Sequence, residues 1–429
     1  MNNITQIQKK TVMTAVGAGL VPRTGLQHLL VGRKLETEAV CRSLDQVAEG
    51  GAAFRIITGP VGAGKTFFQH LNKVLAIENG LVVVHADLKI NHRLHGTDGK
   101  AQNLYEEWMT NLTTKSFPEG GGLRPVIETW ISNVVQEIGD QQPDTAKVKL
   151  EILKRLRPLK DYVGGNEFAT VLGLFYEGFA EDKPQLQEAA LRYLRAAYRT
   201  ITEAKQELKV HRIIRDADIY DTLKLLAAFL RIAGYKGLIV MIDELSALTH
   251  RLPNAKSRQG SFEVLLTIIN ECFQGNVKGL AFILAGTPEA VYDPDRGLYS
   301  YPPLRSRLKS YNQPGLVDYS GPVIKLTTLG PEELLRLIEN IRNIEALGDP
   351  SKFRIPDEGL RTFLDKLYAK LGPKWSRNPR DVARPFVSLL HLIEHNPTER
   401  WQDMLNKVID SISKDLGDAD DGLEDFNLK

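Results

Sequence analysis

Five short apolar runs stand out along the chain: Phe54-Arg55-Ile56-Ile57-Thr58, Leu81-Val82-Val83-Val84, Leu238 to Ile242, Leu280 to Leu284, and Val323 to Leu326. Runs of this length, rich in β-branched residues, predict strands buried on both faces. Between them apolar residues recur at three- and four-residue intervals. One such stretch, Leu26 to Gly50, puts Leu35, Val40, Leu44 and Val47 on one side of a predicted helix. The segment from about 100 to 236 is mostly helical in pattern, most clearly at Ala189 to Leu208 and Ile219 to Ile232. Strands separated by helices predict an α/β fold with a parallel sheet. Beyond Gly330 only helices are expected, at about 331–347, 357–371, 379–395 and 399–414. Gly330-Pro331-Glu332-Glu333 has the chemistry of a helix start, with proline in the first turn and acids at the positive end. Residues 1–25 are polar and punctuated by glycine, and are expected to form a poorly ordered arm. Asp415 to Lys429 is acidic and expected to fray.

The first strand runs into Gly59-Pro60-Val61-Gly62-Ala63-Gly64-Lys65-Thr66, which fits G-x-x-x-x-G-K-[ST] at every fixed position. A helical run from Phe67 to Ile77 follows, so the motif has the strand–loop–helix setting that gives it meaning. Glycines let the backbone curl until its N–H groups point at phosphate oxygens. The helix beginning near Lys65 adds its positive end. Lys65 is then the residue that reaches the β- and γ-phosphates, and the Thr66 hydroxyl is a ligand for Mg²⁺. ATP and Mg²⁺ are the implied cofactors.

The strand Leu238 to Ile242 ends in Asp243-Glu244. An aspartate there can hold Mg²⁺ opposite Thr66, and the adjacent glutamate can orient a water for attack on the γ-phosphate. The next strand ends in Ala285-Gly286-Thr287-Pro288, where the Thr287 hydroxyl can position the same water. Ligands of parallel α/β sheets sit at the carboxyl ends of the strands. The loop, the acids and Thr287 all follow such ends, so the fold can gather them although they are far apart in the chain.

Composition narrows the field. With 42% hydrophobic and 25% charged residues, the chain is ordinary for a soluble protein. Its 55 basic and 53 acidic side chains give no overall bias toward nucleic acid. Cys41 and Cys272 are far apart and lack metal spacing, which fits a reducing, cytoplasmic setting. No stretch approaches the ~20 apolar residues of a membrane span. His85, His92 and His95 have no cysteine partner and match no zinc spacing. Asp87 and Asn91, after the second strand, are candidates to touch Glu244. Basic clusters at Lys147, Lys149, Lys154, Arg155, Arg157 and Lys160, and at Lys209, Arg212 and Arg215, can track a phosphate backbone or simply keep helices soluble. Signatures of serine, cysteine or metal hydrolases are absent.

These pieces resemble the AAA+ superfamily of ATPases, especially its origin-recognition-like members, over roughly residues 26–395. The resemblance implies a P-loop NTPase with a three-layer parallel sheet, a large helical insertion and a C-terminal all-helical lid. It implies an arm at 1–25, an ATPase core at 26–330 with the insertion at about 100–236, a lid at 331–414 and a tail at 415–429. Val31-Gly32-Arg33 resembles the segment packed against adenine, and Phe67 closes the nucleotide-binding set. Asp243-Glu244 resembles the Walker B acids and Thr287 the sensor-1 position. Asn378-Pro379-Arg380-Asp381 resembles the sensor-2 motif, which makes Arg380 a contact of the γ-phosphate. Arg305 and Arg307, with Arg296 as a third candidate, fall where the family places an arginine finger acting on a neighbour's ATP, which implies a homo-oligomer.

A narrower similarity lies mainly in the insertion. Arg93-Leu94-His95-Gly96, Tyr105-Glu106-Glu107-Trp108-Met109, Gly164-Gly165-Asn166-Glu167-Phe168 and Asp243-Glu244-Leu245 resemble phrases of the BREX-system ATP-binding proteins of bacterial phage defence. That resemblance implies an ATPase acting with other defence proteins, such as a helicase or nuclease, on a DNA-associated complex. An ATP-gated recruitment switch with little hydrolysis is the alternative, and a helicase loader a further one. Only 34 residues follow His395, too few for the winged-helix DNA-binding domain that origin-recognition proteins carry there.

Overall fold

The computed structural model describes residues 4–139, 144–252, 254–309, 318–375 and 378–420. Five strands form one sheet: β1 (Ala52–Thr58), β2 (Val82–Asp87), β3 (Leu238–Asp243), β4 (Leu280–Gly286) and β5 (Val323–Lys325). Their order is β2-β3-β4-β1-β5, and the pairs β2–β3, β3–β4 and β4–β1 are parallel. The sequence finds all five strands and misses only their ends. β4 is buried along its whole length, and β1 at every position but Arg55. Continuous apolar runs are what a sheet covered on both faces requires. The register aligns the carboxyl ends, with Asp87 opposite Asp243, Ile242 opposite Leu284 and Thr58 opposite Gly286.

The chain divides into two compact units, one comprising Leu35–Thr58 and Asn72–Ile324, the other Met1–Lys34, Gly59–Leu71 and Lys325–Lys429. The first holds the sheet as far as Ile324 and the helices between β2 and β3. Trp130 and Phe168 meet Phe229 edge-on, at centroid distances of 5.4 and 5.2 Å. The buried Gln102 amide lies within donating distance of the carbonyls of Ala196, Tyr198 and Ile214, so two stretches well downstream are tied to one side chain. The helix expected at Ala189 to Leu208 is two helices, Pro184–Leu194 and Ile201–Leu208. Ala196 turns the chain at φ 59°, and Thr200 caps the second helix by accepting from Glu203 N. The Cys272 thiol is pushed up to about 12 by burial, with Glu271 adding to the effect.

The second unit contains the four helices expected beyond Gly330, Pro331–Glu345, Asp357–Trp375, Pro379–His395 and Trp401–Asp420. The amino-terminal segment differs from expectation. Gln6–Gly17 is a helix opened by a Thr5–Gln8 capping box. Its Val12, Met13 and Val16 are buried in one core with Leu334, Ile338 and Phe386. Its apolar stripe is narrow, and the faces that cover it come from more than 300 residues downstream, as the Lys9–Glu345 pair at 3.3 Å shows. The helix predicted across Leu26 to Gly50 is also interrupted. Leu26–Leu29 and Lys34–Ala48 are separate, because Gly32 and Arg33 take φ of 64° and 61°. Leu35 is 55% exposed and does not join Val40, Leu44 and Val47 in the core. The acidic tail continues the last helix to Asp420, and residues 421–429 lie outside the described ones. Among the described residues no helix is long and apolar enough to cross a membrane.

Candidate functional site

The loop Gly59–Gly64 leaves β1 and enters the helix Lys65–Glu78. Gly62 and Gly64 take φ of 83° and 82°, the left-handed region that turns successive N–H groups inward. The Lys65 ammonium folds back across the loop and donates to the carbonyls of Gly59 (2.8 Å) and Pro60 (3.0 Å). Thr66 and Pro60 are exposed, Val61 is 84% exposed, and Ala63 is buried.

Other parts of the same unit surround this loop. Arg33 donates to the Ala63 carbonyl at 3.2 Å, to the Thr327 hydroxyl at 3.4 Å and to the Thr327 carbonyl. A Cβ on Gly62 would lie 2.9 Å from Cγ of Asn378, so the start of the helix Pro379–His395 abuts the loop. The Asn378 side chain accepts from Arg380 N at 3.1 Å and thereby caps that helix. Arg380 follows directly and is exposed. Val31 is buried and Phe67 packs against the same core. The unit therefore gathers Arg33, the phosphate loop, Thr327 and the Asn378–Arg380 turn. Thr327 and the approach of Asn378 to Gly62 were not foreseen, because nothing local in the sequence marks contacts across hundreds of residues.

In the sheet unit, Asp243 ends β3, and its carboxylate accepts from Glu244 N at 2.8 Å. Glu244 sits at φ 58°, ψ 44° and is exposed. A non-glycine residue in the left-handed region is strained, and such strain concentrates at functional positions. Its carboxylate accepts from the Ser246 hydroxyl at 3.1 Å and lies 3.6 Å from the Arg251 guanidinium. It bonds neither Asp87 nor Asn91. Asp87 lies instead beside Asp243, and the Asn91 carbonyl accepts from Asn103. β4 separates β3 from β1, so Thr287 leaves the sheet between the strand of the acids and the strand that feeds the loop. Thr287 stands at the start of the helix Pro288–Tyr292 without its hydroxyl capping it. Arg305 and Arg307 are exposed on the helix Pro302–Leu308, with Arg307 donating to Asn270 at 2.9 Å.

At least four of the nine clustered bases pair with acids. Lys149 pairs with Glu177, Lys154 and Arg155 with Glu151, Arg155 also with Glu137, and Arg212 with Asp218. His92 pairs with Glu107 at 2.9 Å, whereas His85 faces Asp87.

A family model described as BREX system ATP-binding protein BrxC/D matches residues 4–409. Among curated proteins, none matches the chain. Among solved structures, the chain is similar to one in the structure of the E. coli MS115-1 HORMA:CdnC:Trip13 complex, at 9% identity. That match covers 85% of this chain and 91% of the other, with a TM-score of 0.34.

Proposed function

Since the chain belongs to the family of BREX system ATP-binding proteins BrxC/D, we propose that it is a Mg²⁺-dependent ATPase of AAA+ type, closest in role to BrxD. The observation that carries this is the phosphate loop: two left-handed glycines and a lysine between a buried strand and a helix start, ringed by Arg33, Thr327 and Asn378.

The loop's N–H groups and Lys65 bind the phosphates. Val31, Gly32, Arg33 and Phe67 border the base and ribose. Thr66 and Asp243 offer hard oxygen donors of the kind Mg²⁺ prefers. When bound, that ion would neutralise charge on the β- and γ-phosphates. Glu244 takes a proton from a water that attacks the γ-phosphorus, the bond to the β,γ-bridging oxygen breaks, and ADP and phosphate leave. Thr287 holds that water in line, and Arg380 reports the γ-phosphate. Arg305 or Arg307, with Arg296 as an alternative, reaches a neighbouring copy's ATP, so the active form is a homo-oligomer. Residues 26–330 serve as the core and 331–414 as the lid. Turnover drives assembly or remodelling of a DNA-associated defence complex in the cytoplasm.

A second reading has its own support. Glu244 is held by Ser246 and Arg251, a resting arrangement that suits an ATP-gated switch awaiting a partner. Steady-state hydrolysis by the purified protein with Mg²⁺, with and without duplex DNA, separates the two. A general base contributes about 10²–10⁴-fold, so Glu244→Gln is expected to bind ATP normally and turn over at least about a hundredfold more slowly. Equal rates in the two proteins sink the role given to Glu244. ATP bound without turnover by the unaltered protein favours the switch.

A further inference from the structure

Asp87 and Asp243 are register partners on the adjacent parallel strands β2 and β3, so their carboxylates leave the sheet side by side. His85 stands two residues before Asp87 and shares its face of β2. The His85 Nε2 lies 4.0 Å from Asp87 Oδ1. One ligand atom from each of His85, Asp87 and Asp243 falls within 4.8 Å of the other two, and all three residues are half-buried.

Two neighbouring carboxylates repel one another, and partial burial sharpens the cost. A cation between them removes it. Metal–ligand bonds of about 2.1–2.2 Å place first-shell atoms roughly 3 Å apart when adjacent and roughly 4.3 Å when opposite. The 4.0 Å between His85 and Asp87 falls between these two values, and the 4.8 Å bound on the other pairs exceeds the larger by about 0.5 Å. The strand that carries His85 is fixed from outside, because the Asn111 amide donates to the His85 carbonyl at 3.0 Å and Val83 bridges to Thr113.

We propose that His85, Asp87 and Asp243 form a divalent-cation site of mixed nitrogen and oxygen donors, which takes Mn²⁺ in preference to Mg²⁺ and fills without nucleotide. One imidazole and two carboxylates are a poor set for Mg²⁺, which prefers oxygen and water in near-ideal octahedral geometry. They suit a borderline ion better. Three protein ligands leave positions for water, as in open sites. The site shares Asp243 with the proposed ATPase centre. Any influence on turnover rests on that reading, but cation binding does not.

The test is Mn²⁺ titration of the full chain without nucleotide, followed by the electron paramagnetic resonance signal of free Mn²⁺. One bound ion per chain is expected, displaced by Mg²⁺ only at large excess. Asp87→Asn and His85→Ala should each weaken binding at least tenfold, with circular dichroism reporting that they fold. His85→Asp keeps three ligands but only oxygen donors. It should retain a site, lose the nitrogen coupling seen in pulsed spectra of the unaltered protein, and shift preference toward Mg²⁺. No Mn²⁺ bound by the unaltered chain, or unchanged affinity in Asp87→Asn and His85→Ala, overturns the proposal. ATP titration of Lys65→Ala is a separate readout: its result bears on the phosphate loop and leaves the Mn²⁺ result standing.

Discussion

Lys65 donates to two carbonyls of its own loop, a posture that bends the side chain over the hollow which phosphates would fill. Hydrogen bonds to charged groups contribute about 1.5–3 kcal/mol each. Losing the ammonium that spans two phosphates should therefore lower ATP affinity about a hundredfold or more in Lys65→Ala. Calorimetric titration checks this, and retained affinity refutes the phosphate-loop assignment. Gly62 gives a sharper test of geometry. Its φ of 83° strains any L side chain, and a Cβ there would meet Asn378 Cγ at 2.9 Å. Asn378 cannot swing aside freely, since it caps the helix that starts at Pro379. Gly62→Ala should cost about 1–3 kcal/mol by strain alone, seen as a lower Tm together with weaker ATP binding. The same substitution at Gly121, which is left-handed but has open space around it, should affect stability alone. Residues of this kind were legible in the sequence because the phosphate-loop motif is local. Thr327 was not, and neither was the approach of Asn378 to Gly62, because both are made by packing between segments far apart in the chain.

Elements were legible in proportion to how local their causes are. The helix Ile219–Ile232 has eight buried residues on a regular stripe and matches its expected ends. The break inside Ala189 to Leu208 carried a signal too, Thr200 followed by Glu203, but the apolar period runs through it. The helix Lys100–Thr110 shows the opposite case. Gly99 before it supplies no side-chain cap. Asp216 does so instead, accepting from Gly99 N and Ala101 N at 2.8 Å and from Gln102 N at 2.9 Å. A carboxylate there satisfies three orphan donors and meets the positive helix end. Capping losses run to about 2 kcal/mol, so Asp216→Ala should lower stability by about 2 kcal/mol in urea unfolding, and Asp216→Asn by less. An unchanged midpoint means that water replaces the carboxylate at no cost. No local pattern announces a cap delivered from the far end of the insertion, which is why the sequence left Asp216 unremarked.

At the scale of the whole molecule, the chain passes between the two compact units four times, after Lys34, Thr58, Leu71 and Ile324. The helix Lys65–Glu78 runs through one of these passages unbroken. Neither unit can unfold without fraying an element that the other shares, so a single unfolding transition is expected rather than two. The amino-terminal helix makes this testable. Val12 is fully buried in the core that also holds Leu334, Ile338 and Phe386. Val12→Ala should cost about 1–3 kcal/mol through lost burial and the cavity left behind. Val12→Asp places an unpaired carboxylate in that core and should cost more than about 3 kcal/mol, a large part of the ~5–15 kcal/mol that holds a typical domain. Because Arg33 and residues Gly59–Leu71 belong to the same unit as Val12, the damage should reach ATP affinity although Val12 stands far from the loop in sequence. Scanning calorimetry should then show one transition moved down as a whole, with ATP binding weakened in step. A second peak left at the original temperature would mean that the sheet unit melts alone, and an unmoved peak with normal ATP binding would mean that the amino-terminal helix is dispensable to the fold.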